Sequence, residues 1–183
     1  VSSRAQRDWL GRCRVLESGK PPVLDADALH LLDPELLAIA DAKTLCVTPH
    51  EGELAKLCET FGVTAESKLD RARALADVTG LTVLAKGPDT VLVHDGMTSF
   101  FPRGSSWLSV AGSGDVLAGI LGSRLANHGD PRRAAEDSVW LHLEASLLSS
   151  PAFSAFELSH SVIPALLSFL FSFPHFSSSF PSS

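Results

Sequence analysis

The sequence predicts an α/β fold, a mostly parallel sheet flanked by helices, and three observations carry that prediction. Short apolar runs of strand length alternate along the chain with longer stretches whose apolar residues recur at helical spacing. Gly, Pro and Asp punctuate the boundaries between them. The chain has 183 residues, 45% hydrophobic and 20% charged, which suits one globular domain able to bury a core.

The elements follow in order. Ser2 to Leu16 places Ala5, Trp9, Leu10, Cys13 and Leu16 on one helical face with arginines between them. Pro22 to Asp27 is a short apolar stretch ending in two carboxylates, as buried strands of α/β proteins often end. Asp33-Pro34-Glu35 is a cap and first turn for a helix through Ala40. Lys43 to Thr48 reads as a strand, and Thr48-Pro49-His50 turns into a helix carrying Glu51, Glu53, Leu54 and Leu57. A helix from Ser67 to Val78 stops at Gly80, a C-cap signal. Thr82 to Ala85, Thr90 to His94 and Thr98 to Phe101 read as three strands, the last two joined at Asp95-Gly96-Met97 as a hairpin. Gly112 to Asp115 opens a helix to about Asn127, and Asp130-Pro131 opens another to about Leu148.

Beyond Glu157 the chain holds no Asp, Glu, Lys or Arg, and Phe169 to Ser183 is mostly Phe, Ser and Pro. Leu166 to Phe173 is compatible with a helix end docking on the core, a surface-seeking tail or an altered reading frame. The expected organisation is one domain over residues 1–168 and a disordered tail over 169–183. Trp107 and Trp140 are expected in packing roles only.

Composition excludes several classes of function. A net charge of -6, with no Lys/Arg stripe to offset it, argues against a nucleic-acid surface. Cys13, Cys46 and Cys58 lie far apart without a CxxC spacing, so buried free thiols are expected instead of a zinc site or disulfides. No signal peptide opens the chain and no apolar run reaches the roughly 18 residues of a membrane span, so no membrane partner is expected and a reducing cytoplasm fits. The sequence starts at Val1 and enters a helical pattern with no strand before it, which reads as a start inside a longer protein.

The chemistry is expected at Gly112-Ser113-Gly114-Asp115. Two glycines let the backbone turn tightly against a ligand, and the free N–H groups of the helix start form an anion hole. Asp115 beside that hole can accept a proton from a substrate hydroxyl while the amides neutralise a phosphoryl group; equally, it can simply cap the helix. Asp25 and Asp27, at a strand end, face the crevice where open sheets bind ligands, or only cap a loop. His50 and Glu53 stand three residues apart at a helix start, spaced to address a substrate or a hydrated cation, or to form the two halves of a capping box. Lys86-Gly87-Pro88-Asp89-Thr90 is a strand-ending turn able to line a nucleotide, though a common pattern by itself.

Taken in order, Val23-Leu24-Asp25-Ala26-Asp27-Ala28-Leu29, Thr48-Pro49-His50-Glu51-Gly52-Glu53, Lys86 to Thr90 and Gly112 to Gly119 resemble the NAD(P)H-hydrate dehydratases, members of the ribokinase-like superfamily. The resemblance runs from about Ala5 to Leu167 and takes in the Leu141-His142 pair and Ile163-Pro164. It implies a lyase that restores hydrated NADH or NADPH by phosphorylating the hydrate hydroxyl from a nucleotide and eliminating phosphate. It further implies that His50 and Asp115 touch the hydrated dinucleotide, that Lys86 to Thr90 and Gly114 line the adenosine-monophosphate portion of the nucleotide, and that the Gly112, Ser113 and Gly114 amides hold the transferring phosphoryl. The cation that the His50 and Glu53 spacing allows is expected to be Mg2+, with Glu53 its ligand. The Thr-Pro-His-x-Gly-Glu form is similar to the type that uses ADP, with ATP the alternative donor. Such enzymes often form oligomers and work beside an epimerase, fused or separate. Glu51 stands where the family usually has Pro, and the family's first strands and a glycine-rich segment have no counterpart here, which implies an incomplete pocket and an exposed sheet edge. A vitamin-precursor or sugar kinase of the same superfamily shares the Gly-x-Gly-Asp turn, and the missing N-terminal portion leaves a further reading, an inactive nucleotide-binding fragment.

Overall fold

The computed structural model describes residues 20–149 and 151–172. The helix expected over Ser2 to Leu16, Cys13, and the stretch 173–183 lie outside them.

Five short strands form one sheet in chain order: β1 (Val23–Leu24), β2 (Cys46–Val47), β3 (Thr82–Ala85), β4 (Val91–His94) and β5 (Met97–Phe100). β1, β2 and β3 are parallel, whereas β3–β4 and β4–β5 are antiparallel. The antiparallel share exceeds the single hairpin expected, because only Lys86 to Thr90 separate β3 from β4. A parallel return needs a crossover of a dozen residues or more, so so short a link must reverse the chain. The β4–β5 turn is tight, with Asp95 at φ 47° and Gly96 at φ 72°, the two positive values of a type I′ hairpin.

Alternation along the strands divides the core. Val47, Val83, Ala85, Val91 and Val93 face one side, where they pack with leucines of the 3₁₀ segment Ala26–Leu31, α1 (Pro34–Ala38), α2 (Glu51–Thr60) and α3 (Lys68–Thr79). Cys46, Leu84 and Leu92 face the other, against Leu117, Leu121 and Leu125 of α4 (Ser113–His128) and Ala134, Ala135 and Val139 of α5 (Pro131–Leu148). Capping follows the local sequence: Asp33, Ser67 and Asp130 accept N–H bonds at the starts of α1, α3 and α5, and Gly80 and Gly129 close α3 and α4 in the left-handed conformation. Cys46 and Cys58 are buried free thiols, and burial pushes Cys46 up to about 12.

One expectation changes. A sixth helix, α6 (Ala155–Ser172), runs through Pro164 and past residue 168, so the packing continues beyond the expected domain limit. Leu158, Ala165 and Phe169 bury against Ile120, Leu141 and Ala145, and Trp140 meets the Phe169 ring at 5.0 Å. That burial holds the helix where an internal proline would otherwise break it. No helix among the described residues is long and apolar enough to cross a membrane.

Candidate functional site

Because β1, β2 and β3 are parallel, the residues that follow them emerge at one edge of the sheet, and they carry the polar groups. Asp25 follows β1, Thr48 follows β2 and Lys86 follows β3. The Asp25 Oδ1 atom accepts the Thr48 hydroxyl at 2.7 Å and the Lys86 ammonium at 2.6 Å. Both charged side chains are largely buried, 12% exposed for Asp25 and 20% for Lys86, so the pair is held in a region of weak solvent screening. The Lys86 N–H donates to the Pro49 carbonyl at 2.8 Å, which brings the His50 loop alongside.

The start of α4 faces this cluster. Gly112 takes φ 85°, and a Cβ there would lie 2.9 Å from the Ala155 Cβ, so both conformation and space require glycine. A Cβ on Gly114 would stand 3.5 Å from Lys86 Nζ and 4.0 Å from Asp25 Oδ2. The Ser113 N–H donates to the Val110 carbonyl and the Val116 N–H to the Gly112 carbonyl, both at 3.2 Å. The N–H groups of Gly114 and Asp115 between them have no backbone acceptor among the described residues, as expected of an open helix N-terminus. The anion hole and a fixed ammonium thus share one location.

A cavity of about 330 Å³ opens beside them. Lys86, Gly87, Pro88 and Thr90 form one wall, Ser113, Gly114 and Leu117 a second, the loop from Phe101 to Ser109 a third, and Val139, His142 and Leu143 of α5 the back. Its walls mix the polar groups of Lys86, Thr90 and Ser113 with the apolar side chains of Leu117, Val139 and Leu143, the mixture typical of a small-molecule pocket. Gly104 lets the loop lie against α5, since a Cβ there would fall 2.6 Å from Leu143 Cδ2. Within the first wall, the Thr90 hydroxyl donates to the Gly87 carbonyl at 2.8 Å and accepts the Gly87 N–H at 3.2 Å, closing the turn.

Asp89 is not in that wall. Its carboxylate is exposed and takes the Lys68 ammonium at 2.8 Å, which holds its carboxyl below the ordinary carboxylate range. The same ammonium also donates to the Asp89 carbonyl at 2.9 Å, so α3 fixes the turn from outside. Sequence reasoning missed Lys68, whose only signal was a cation at a helix start. It gave no role to His142, which is 7% exposed, with Nε2 3.0 Å from the Ser113 carbonyl oxygen and 3.2 Å from the Ser113 hydroxyl. Burial first, then the Lys86 charge, push the imidazole down to about 4 against the opposing pull of the Ser113 carbonyl.

The remaining candidates divide. Asp115 stands exposed on the first turn of α4 and does not line the cavity. Asp27 is exposed and makes no hydrogen bond or ion pair among the described residues. His50 and Glu53 form a full capping box: His50 Nδ1 accepts the Gly52 and Glu53 N–H groups at 3.0 and 3.3 Å, and Glu53 Oε2 accepts the His50 N–H at 2.8 Å. Glu53 Oε1 lies 3.3 Å from His50 Nε2, so both carboxylate oxygens are engaged and only 11% of the side chain is exposed. The role the distances show for Glu53 is to close the start of α2 together with His50. No three His, Cys, Asp or Glu side chains converge among the described residues, which leaves for Mg2+ the mode in which nucleotide phosphates carry most of the coordination.

The architecture, with its glycine turn at a helix start beside the sheet edge, is the ribokinase-like α/β class. A ribokinase-like superfamily protein of Enterococcus faecalis superposes with a TM-score of 0.67 at 20% identity, over 90% of this chain and 60% of that one. Within that class the chain belongs to the NAD(P)H-hydrate dehydratase family, whose model matches residues 8–166. It is 37% identical over 173 residues to the ADP-dependent (S)-NAD(P)H-hydrate dehydratase of Neisseria meningitidis serogroup B, covering 90% of this chain and 58% of that protein. It is 38% identical over 139 residues to the bifunctional NAD(P)H-hydrate repair enzyme of Mycobacterium leprae, covering 74% of this chain and 29% of that protein. The ADP/ATP-dependent NAD(P)H-hydrate dehydratase of Bacillus subtilis, co-crystallised with ATP/Mg2+ and soaked with CoA, superposes with a TM-score of 0.65 at 27% identity, over 81% of this chain and 56% of that one. The chain therefore spans between about a quarter and three fifths of the length of these relatives.

Proposed function

We propose that this chain carries the nucleotide-handling and phosphoryl-transfer part of an ADP-dependent NAD(P)H-hydrate dehydratase. The observation that carries the reading is the meeting of the Gly114 and Asp115 amides at a helix start with the Lys86 ammonium, beside a cavity that Lys86 and Gly114 both line. The adenosine of ADP occupies the cavity, with the Lys86 to Thr90 turn along it, and the terminal phosphoryl group lies on the amides beside Lys86. Gly112 and Ser113 shape that cradle. Asp115, exposed on the first turn of the same helix, takes the proton of the hydrate hydroxyl as the oxygen attacks phosphorus and AMP leaves. Loss of phosphate and a ring proton from the phosphorylated hydrate then regenerates the reduced dinucleotide.

Asp25 acts here by fixing Lys86, while His50, whose ring is largely exposed above its capping box, and Asp27, also exposed, are the groups open to the hydrated dinucleotide. When bound, Mg2+ supplies charge neutralisation on the phosphates. The relatives called bifunctional repair enzymes support a companion epimerase, fused or separate; a cytoplasmic setting and assembly into an oligomer complete the reading.

The test incubates the protein with hydrated NADH and ADP and follows recovery of the reduced-nicotinamide absorbance. Asp115→Asn should lower turnover by about 10²- to 10⁴-fold with adenine-nucleotide affinity retained. Absence of recovery with the unaltered protein, or equal turnover in the variant, would reject the reading.

A further inference from the structure

We infer that His142 is a positioning residue, which aims the Gly114 N–H at the bound phosphoryl group by holding the Ser113–Gly114 peptide from behind. The activity part of this inference rests on the dehydratase reading; its structural part does not.

The Ser113 carbonyl can only accept, so the Nε2 atom 3.0 Å away must carry the proton and donate it. The Ser113 hydroxyl oxygen, 3.2 Å from the same atom, shares that proton as a second acceptor. A peptide unit is planar, so fixing the Ser113 C=O fixes the Gly114 N–H at its other end. The unit opens α4 between two glycines, Gly112 at φ 85° just before Ser113 and Gly114 itself, the residue type that restricts its backbone least. The imidazole comes from a firm base: α5 buries Ala134, Ala135 and Val139 against the sheet and Leu141 against α6. The ring also backs the same cavity that Gly114 and Lys86 line, so its bond is made at the wall the ligand touches. Burial and the nearby Lys86 charge keep the ring neutral, which leaves the proton on Nε2 alone.

A histidine that only fills space would be replaced well by any side chain of similar volume, whereas a positioning donor would not. The experiment compares the full chain with His142→Leu and His142→Gln, the second of which keeps an N–H donor. The Gly114 amide is followed by ¹⁵N–¹H NMR, for hydrogen exchange and for its shift on titration with ADP and with inorganic phosphate, and kcat and KM are measured in parallel. In His142→Leu, the Gly114 amide should exchange about ten-fold faster or more, and its ligand-induced shift should shrink. Turnover should fall by roughly 10²-fold, the effect of a misplaced reacting group, with KM for the hydrated dinucleotide within about two-fold of normal. His142→Gln should recover most of the turnover and the amide response. Should His142→Leu not fold, His142→Asn, whose amide is too short to reach Ser113, replaces it against His142→Gln. A normal Gly114 response without the donor, or equal impairment with and without it, would overturn the inference. Absence of turnover in every form, together with the amide response just described, would instead remove the dehydratase reading and leave the role of His142 standing.

Discussion

Acid should weaken this fold through one buried ring. His142 stays neutral in the folded protein down to about pH 4, whereas in the unfolded chain it takes up a proton near its ordinary 6.5. Between those values the unfolded state binds more protons, so stability is full above pH 6.5, falls as the pH drops toward 4, and levels off below it. At about 1.4 kcal/mol per pH unit, the gap corresponds to about 3 kcal/mol at most. A domain of this size is stable by only about 5–15 kcal/mol, so the loss is a large fraction of the whole. The assay is urea unfolding followed by circular dichroism at pH 7, 5.5 and 4, for the unaltered chain and for His142→Gln. The variant keeps the donor and the volume but cannot titrate, so the difference between the two proteins should close, or reverse, by about 3 kcal/mol across that range. Asp89 and Glu157, whose carboxyls are held below the ordinary range by Lys68 and by Ser154, titrate equally in both proteins and cancel. Parallel curves for the two proteins would refute the reasoning, because a ring that takes its proton equally in both states cannot be shut off from water.

Two further substitutions separate the site from the scaffold. Gly114→Ala places a methyl group 3.5 Å from Lys86 Nζ, an ordinary contact, so Tm should move by less than about 4 °C. The same methyl stands where the phosphoryl group belongs, and calorimetry should show ADP binding at least about ten-fold weaker, an added clash of about 1.4 kcal/mol or more. Lys68→Met removes the ammonium from Asp89 and frees the Gly87 to Thr90 turn. Steady-state kinetics should show KM for the nucleotide raised about three- to ten-fold with kcat unchanged, the pattern of lost uniform binding. Stability should change by less than about 1 kcal/mol, because Asp89 is 77% exposed.

Much of the site could be read from the sequence, and the reason is geometric. Asp25, Thr48 and Lys86 each follow a short apolar run, and parallel strands bring such endings together wherever the intervening helices lie. The Gly112 to Asp115 turn was legible as a turn because a glycine there can take the positive φ that leads into the helix, 85° at Gly112. His50 and Glu53 could not be resolved, because a capping box and a metal-binding pair share one spacing, and only the distances show both Glu53 oxygens turned to His50. Lys68 and His142 lie 21 and 29 residues from the partners they hold, and no local pattern encodes such a pairing. The last helix was hidden by Pro164 and by the absence of charge after Glu157, since an amphipathic pattern needs polar residues to show its apolar face.

A single carboxylate oxygen, Asp25 Oδ1, ties the tips of three strands into one electrostatic knot. Sliding the first strand by one position would swing that oxygen to the opposite side of the sheet and leave the Lys86 cation without its counter-charge. Two residues of backbone pairing contribute little grip of their own, so these side-chain contacts add to what holds the strand tips in their observed alignment. One atom therefore neutralises the Lys86 cation and marks the register at the same time.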